Sequence, residues 1–148
     1  MSATIDPVAH YRKLERMYQS APFNALYEPR LTVEEGKAYL EYDVKPDYYH
    51  AANAVHGAVY MKMIDDAAFF AANSLEFEFF IVTVSLTTYL TRPISNGVMH
   101  CRAEVTHASK RLILAEAVVE DDQGRQIGRG NGSFMRSRVR LSEEIGYV

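Results

Sequence analysis

Asp65 and Asp66 stand in an otherwise apolar stretch of this 148-residue chain, and His56-Gly57 lies nine and eight positions before Asp65. A carboxylate kept among apolar residues is a candidate base. A glycine at the start of a helix leaves free backbone N–H groups, at the positive end of the helix dipole, open to an approaching carbonyl. Adding water to an activated acyl carbonyl needs those two parts: donors aimed at the developing oxyanion and a base for the water. Each residue also has a plainer reading. Lys62 lies three and four residues before Asp65 and Asp66, so either carboxylate can be half of a helix-surface ion pair. His56 reads as a turn or capping residue rather than a base, His50 as a loop residue, and Thr83 equally as an ordinary strand threonine. His10, His100 and His107 read as surface positions and Cys101 as buried. No His/Cys/Asp/Glu spacing resembles a metal site.

The elements that must hold these residues follow from periodicity. Asp6-Pro7-Val8 to Gln19 predicts an amphipathic helix, with Asp6 as cap, Pro7 at the first position and Val8, Tyr11, Leu14, Met17 and Tyr18 on one face. Leu31–Glu35 and Lys37–Val44 predict two strands joined at Gly36, and Lys45–Val55 a loop. His56–Ser74 predicts one long helix whose apolar residues nearly surround its axis, so most of it must be covered. Phe79–Thr91, a strand from Met99, Leu112–Glu120 and Gln126–Arg136 predict four further strands running as a meander, with turns at Pro93–Gly97, Ser109-Lys110 and Asp121–Gly124. This is an α+β layout, a mostly antiparallel sheet wrapped around one central helix. Gly128, Gly130 and Gly132 share one face of the last strand, which implies close approach by a backbone, a ligand or the packed central helix.

Composition limits the rest. Apolar residues make up 48% and charged residues 24%, with a net charge of −3 and no basic cluster. A nucleic-acid partner is therefore not expected. The single cysteine allows no internal disulfide, which points to a reducing, cytoplasmic compartment. Met1–Phe23 mixes charges through its apolar residues, unlike a signal peptide, and no stretch is apolar enough to expect a membrane span.

The run Asn53-Ala54-Val55-His56-Gly57-Ala58-Val59-Tyr60-Met61-Lys62-Met63-Ile64-Asp65-Asp66-Ala67 resembles the helix-start signature of the PaaI-type acyl-CoA thioesterases of the hotdog (4-hydroxybenzoyl-CoA thioesterase-like) superfamily. That signature is His-Gly-Gly with an Asp nine positions after the His; Ala58 replaces the second glycine here. Tyr89-Leu90-Thr91-Arg92-Pro93 resembles the family's strand-end pattern. The resemblance implies a single hotdog domain over residues 1–148, with an extra N-terminal helix over 6–20 and the core over 30–137. It implies acyl-CoA hydrolysis with Asp65 as the catalytic carboxylate, the Gly57 amide polarising the carbonyl, His56 shaping the turn and Thr83 helping to position water. No cofactor is implied, since the CoA moiety belongs to the substrate. His50 stands where relatives often carry an Asn, and Asn53 lies nearby in a different register. For the CoA phosphates, Arg92, Lys110 and Arg111 at loop ends are the candidates.

Spacing adds one constraint. Gly57 and Asp65 are about 12 Å apart along a helix at ~1.5 Å per residue, too far for one carbonyl and its attacking water. A catalytic Asp65 must then act on a thioester held by another chain, as in an isologous dimer with antiparallel central helices. A homodimer or dimer of dimers with shared sites is expected. The competing reading is a non-catalytic acyl-CoA or acyl-ligand binding module, suggested by His50. A hydratase or dehydratase fits less well, because Phe70 stands where the β-hydroxyacyl dehydratases tend to place their acid.

Overall fold

The computed structural model describes residues 4–148. Helix α1 spans Pro7–Ser20, and the Asp6 side chain caps it by accepting the Ala9 N–H at 3.2 Å. Its buried stripe is His10, Tyr11, Leu14, Met17 and Tyr18, at the three-to-four spacing of one helical face. The stripe docks α1 on β1 (Arg30–Glu34), the first edge of the sheet. The edge is then closed by side chains: Arg12 donates to the Val33 carbonyl at 2.7 Å, and the Val33 N–H donates to the Glu15 carboxylate at 2.8 Å. Groups that would otherwise offer a strand-pairing template are thereby satisfied.

The β1–β2 hairpin turns at Gly36, which takes φ +68°, and β2 runs Lys37–Asp43. The expected loop contains one 3-10 turn, Pro46–Tyr48, before α2 (Gly57–Asn73). Strands β3 (Phe79–Leu90), β4 (Val98–Ala108), β5 (Ile113–Glu120) and β6 (Gln126–Arg140) follow. All pairings are antiparallel, and α2 packs against all six strands. Val59, Met63, Ile64, Ala67 and Ala71 of α2 form the core with Leu40, Tyr42, Met99, Cys101, Val119 and Ile127. Burial pushes the Cys101 thiol well above its ordinary range.

Strand order corrects the expected four-strand meander. The order is β1-β2-β4-β5-β6-β3: only β4, β5 and β6 meander, while β3 pairs with β6 at the far edge. The β6 glycines give the reason. A Cβ on Gly130 would lie 2.3 Å from the Thr87 carbonyl of β3 and 3.0 Å from Ile64 of α2, so the bare backbone admits both neighbours at once. Strand β6 also runs to Arg140 rather than Arg136, because its end pairs with Phe79 and forms ion pairs from Arg136 to Glu76 and from Arg140 to Glu78.

His10 corrects a second expectation. It is fully buried, Nε2 donates to the Asn73 carbonyl at 2.9 Å, and Nδ1 lies 2.6 Å from the Tyr147 hydroxyl. A carbonyl can only accept, so Nε2 carries the hydrogen in the neutral ring and Nδ1 takes the tyrosine proton. The imidazole stacks on Phe77 and ties α1, the end of α2 and the C-terminal segment together.

Candidate active site

A cleft of about 720 Å³ opens beside the middle of α2. Phe69, Phe70, Phe80, Ile81 and Val82 line one part of it, and Met17 and Tyr18 of α1 line another with Ala21 at the helix end and Phe23 and Asn24 of the 3-10 turn Pro22–Leu26. The N-terminal helix, expected only as an addition to the core, therefore forms part of the pocket wall. Phe79 and Tyr89 do not line it: Phe79 lies under the guanidinium groups of Arg136 and Arg140, and Tyr89 is 59% exposed.

The charged groups of the cleft, Lys62, Asp65 and Asp66, all come from α2. Asp65 is half-buried, and its Oδ1 accepts the Thr83 hydroxyl at 2.8 Å. Burial raises its carboxyl pKa above the ordinary value; the Thr83 bond opposes this, neighbouring Asp66 adds to the rise and Lys62 lowers it. A carboxylate that holds its proton more tightly is a better base towards water.

Lys62 and Asp66 form the most connected group in the wall. Lys62 Nζ lies 2.5 Å from Asp66 Oδ2 and 2.6 Å from Asn24 Oδ1. The same Asp66 oxygen accepts the Tyr18 hydroxyl at 2.5 Å and the Tyr42 hydroxyl at 3.3 Å. The ammonium sits 4.7–5.7 Å from the ring centres of Tyr18, Phe23, Tyr27 and Tyr42. With side-chain exposures of 9% and 19%, this is an enclosed pair rather than the helix-surface pair expected. Burial and the Asp66 charge push both tyrosine hydroxyls far up, so they stay protonated donors. The i, i+4 spacing is visible in the sequence; Tyr18, Tyr42 and Asn24 come from distant segments and carry no such signal.

The other expected residues lie outside this cleft. His56 is the N-cap of α2, with Nδ1 accepting the Ala58 N–H at 2.9 Å, so it shapes the turn. Gly57 opens the helix, and a Cβ there would lie 2.8 Å from the tip of Leu90. His50 Nδ1 accepts the Ala52 N–H at 3.0 Å and folds its own loop; Asn53 takes φ +61°, a conformation asparagine tolerates. Arg92 follows β3 at the Gly57 end, where its carbonyl accepts the Tyr60 hydroxyl at 2.9 Å. Lys110 and Arg111 lie at the opposite end of the sheet, lining a separate cavity of about 330 Å³ with Arg136 and Glu76. The structure thus joins Asp65 to Thr83 and, within one protomer, separates them from Gly57, His56, His50, Asn53 and Arg92.

Among the described residues no helix is long and apolar enough to cross a membrane. The family model described as Thioesterase superfamily matches residues 52–127, a span that includes the His56-Gly57 turn, Asp65 and Thr83. "Putative esterase Rv1847" of Mycobacterium tuberculosis is 34% identical over 97 residues, covering 63% of this chain and 69% of the relative. A solved structure of Rv1847/MT1895 superposes with a TM-score of 0.74 at 30% identity, covering 81% of this chain and 99% of that one. The Escherichia coli PaaI protein from the phenylacetic acid degradation operon shares the fold, with a TM-score of 0.82 at 18% identity over 90% of this chain and 97% of its own. With half of its length matched by that family model and a third of the aligned residues shared with Rv1847, the chain belongs to the thioesterase superfamily.

Proposed function

We propose that the protein hydrolyses an acyl-CoA thioester to the free acid and CoA, at sites shared between two protomers. Asp65, held by Thr83, takes a proton from water as the water oxygen attacks the thioester carbonyl carbon. The carbonyl π electrons move to oxygen, and that oxyanion accepts the Gly57 N–H of the other protomer. Collapse of the tetrahedral intermediate reforms the carbonyl, breaks the C–S bond and releases the thiolate, which takes up the proton held by Asp65. The apolar, phenyl-lined cleft beside Asp65 receives the acyl group. Arg92 of one protomer with Lys110 and Arg111 of the other are the groups offered to the CoA phosphates.

The observation that carries this reading is the Asp65–Thr83 pair facing an aromatic cleft that lacks Gly57. The helix-start amide is about 12 Å away along α2, so a complete site needs a second chain. The far edge of β3 supports this. It is unpaired among the described residues, and Val82, Val84, Tyr89 and Leu90 are exposed on that strand. Antiparallel pairing of two such edges brings the Gly57 end of one protomer towards the Asp65–Thr83 region of the other.

The test is thiol release from a panel of short, medium, long and aryl acyl-CoAs, with wild type and Asp65→Asn in parallel. Turnover that falls by ~100-fold or more in the variant is the expected result for a lost base. Equal rates would remove Asp65 from the mechanism. Binding without turnover, unchanged by Asp65→Asn, would instead favour a non-catalytic acyl-ligand module.

A further inference from the structure

The enclosed Lys62–Asp66 pair is not required by packing. A buried ion pair is weak support for a fold, since apolar residues of similar volume commonly stabilise as well or better. Its position is informative. Lys62, Asp65 and Asp66 all line the cleft, and with Tyr18 they are its only titratable groups among the described residues. The lining from β3, β6 and the 3-10 turn Glu143–Ile145 contributes Phe80, Ile81, Val82, Thr83, Val139 and Ile145, none of which titrates; the turn after α1 contributes Phe23 and Asn24. Tyr42 of β2 and Tyr27 reach the same group from behind.

Two adjacent carboxylates sharing one cleft repel each other and compete for protons. Here one oxygen of Asp66 accepts from Lys62, Tyr18 and Tyr42, and the ammonium is held by Asn24 and four aromatic rings. That arrangement neutralises Asp66 in place and leaves Asp65 as the one uncompensated charge facing the cleft.

We propose that Lys62 and Asp66 are positioning residues which, as a locked neutral pair beside Asp65, set the pH range in which Asp65 can take a proton from water. This rests on Asp65 being the base. The pair acts through charge and not through contact with substrate, so its two halves act in opposite directions. Removing Lys62 leaves two carboxylates side by side and holds a proton on Asp65. Removing Asp66 leaves an ammonium near Asp65 and strips that proton earlier.

The test is the pH profile of kcat/KM for wild type, Lys62→Met, Asp66→Asn, the double variant and Lys62→Arg, using the acyl-CoA that wild type turns over fastest. A carbon-13 titration of the Asp65 carboxyl is followed in each protein. Lys62→Met is expected to move the acid limb up by about one pH unit, a ~10-fold loss of rate below it, and Asp66→Asn to move it down. The double variant, neutral again, is expected to return within a few tenths of a unit of wild type, and Lys62→Arg to hold the limb in place. Shifts of both single variants in the same direction would overturn the proposal. So would a uniform fall in kcat with an unmoved limb, the signature of a structural pair. If Asp65→Asn stays active, the base assignment fails, and the carboxyl titration alone then decides whether the pair governs Asp65.

Discussion

Asp65 and Asp66 differ by about 100° of rotation around one helix, and that rotation separates their surroundings. Asp66 turns towards α1 and β2, where Tyr18, Tyr42 and Lys62 saturate one oxygen; Asp65 turns towards β3, where Thr83 supplies one bond and the cleft takes the other side. A consequence for stability follows. Burial raises the folded-state pKa of Asp65 above its ordinary 3.8, so between those two values the folded protein binds more protons than the unfolded chain. Stability therefore falls as pH rises through that window, and the full cost is present above it. Asp65→Asn removes the charge and keeps an acceptor for Thr83, so at neutral pH it is expected to raise Tm by about 1–3 °C, with the gain vanishing at acid pH. A thermal melt at both pH values checks this, and a lower Tm at neutral pH would contradict it. The helix start at His56 and the carboxylate at Asp65 were legible because capping and apolar spacing are local signals. The burial of His10 was not: its neighbours Asn73 and Phe77 arrive from the middle of the chain and Tyr147 from its far end.

Each predicted helix and strand is present, because caps, turn glycines and apolar periods act over a few residues. Element pairing was less legible. Sequence neighbours favour β3 beside β4, yet β3 pairs with β6, where the glycine face admits its backbone. Gly130 tests this. A Cβ there meets the Thr87 carbonyl, which cannot rotate aside, so Gly130→Ala is expected to cost about 1–3 kcal/mol of stability. The measurement is the denaturant midpoint; an unchanged midpoint would mean that β3 sits less tightly on β6 than the geometry requires. Helix α1 shows the same dependence on partners. Its amphipathic face was readable, but its role as a cleft wall arises from where β1 lies.

The two edges of the sheet differ in kind. Arg12 and Glu15 close the β1 edge, whereas among the described residues the outer edge of β3 is unpaired and Val84 is 57% exposed. If two protomers join there to share sites, subunit mixing has a specific outcome. Gly57→Pro removes the one N–H at the first helix position, whose backbone suits proline although the added Cβ displaces the tip of Leu90, and Asp65→Asn removes the proposed base. Each variant alone is expected to be nearly inactive. Refolded together, they form mixed dimers with one intact site of two, so about a quarter of wild-type activity returns for random pairing. No recovery, with mixed dimers demonstrated by mass, would place both groups in one protomer's site.

What the chain determined by itself was local: the His56-Gly57 helix start, Asp65 in an apolar stretch, the α+β order of elements and the arithmetic that one helix holds its amide and its carboxylate too far apart for one substrate atom. Those features depend on dihedral preference, capping and period, which act within a turn or two. Only the tertiary structure decided that β3 crosses to β6, that α1 walls the cleft, and that Lys62 and Asp66 are enclosed by Tyr18, Asn24 and Tyr42. The contacts that enclose the pair join residues up to 48 positions apart, and such pairings follow from which surfaces bury each other in the collapsed chain, a property no local window contains.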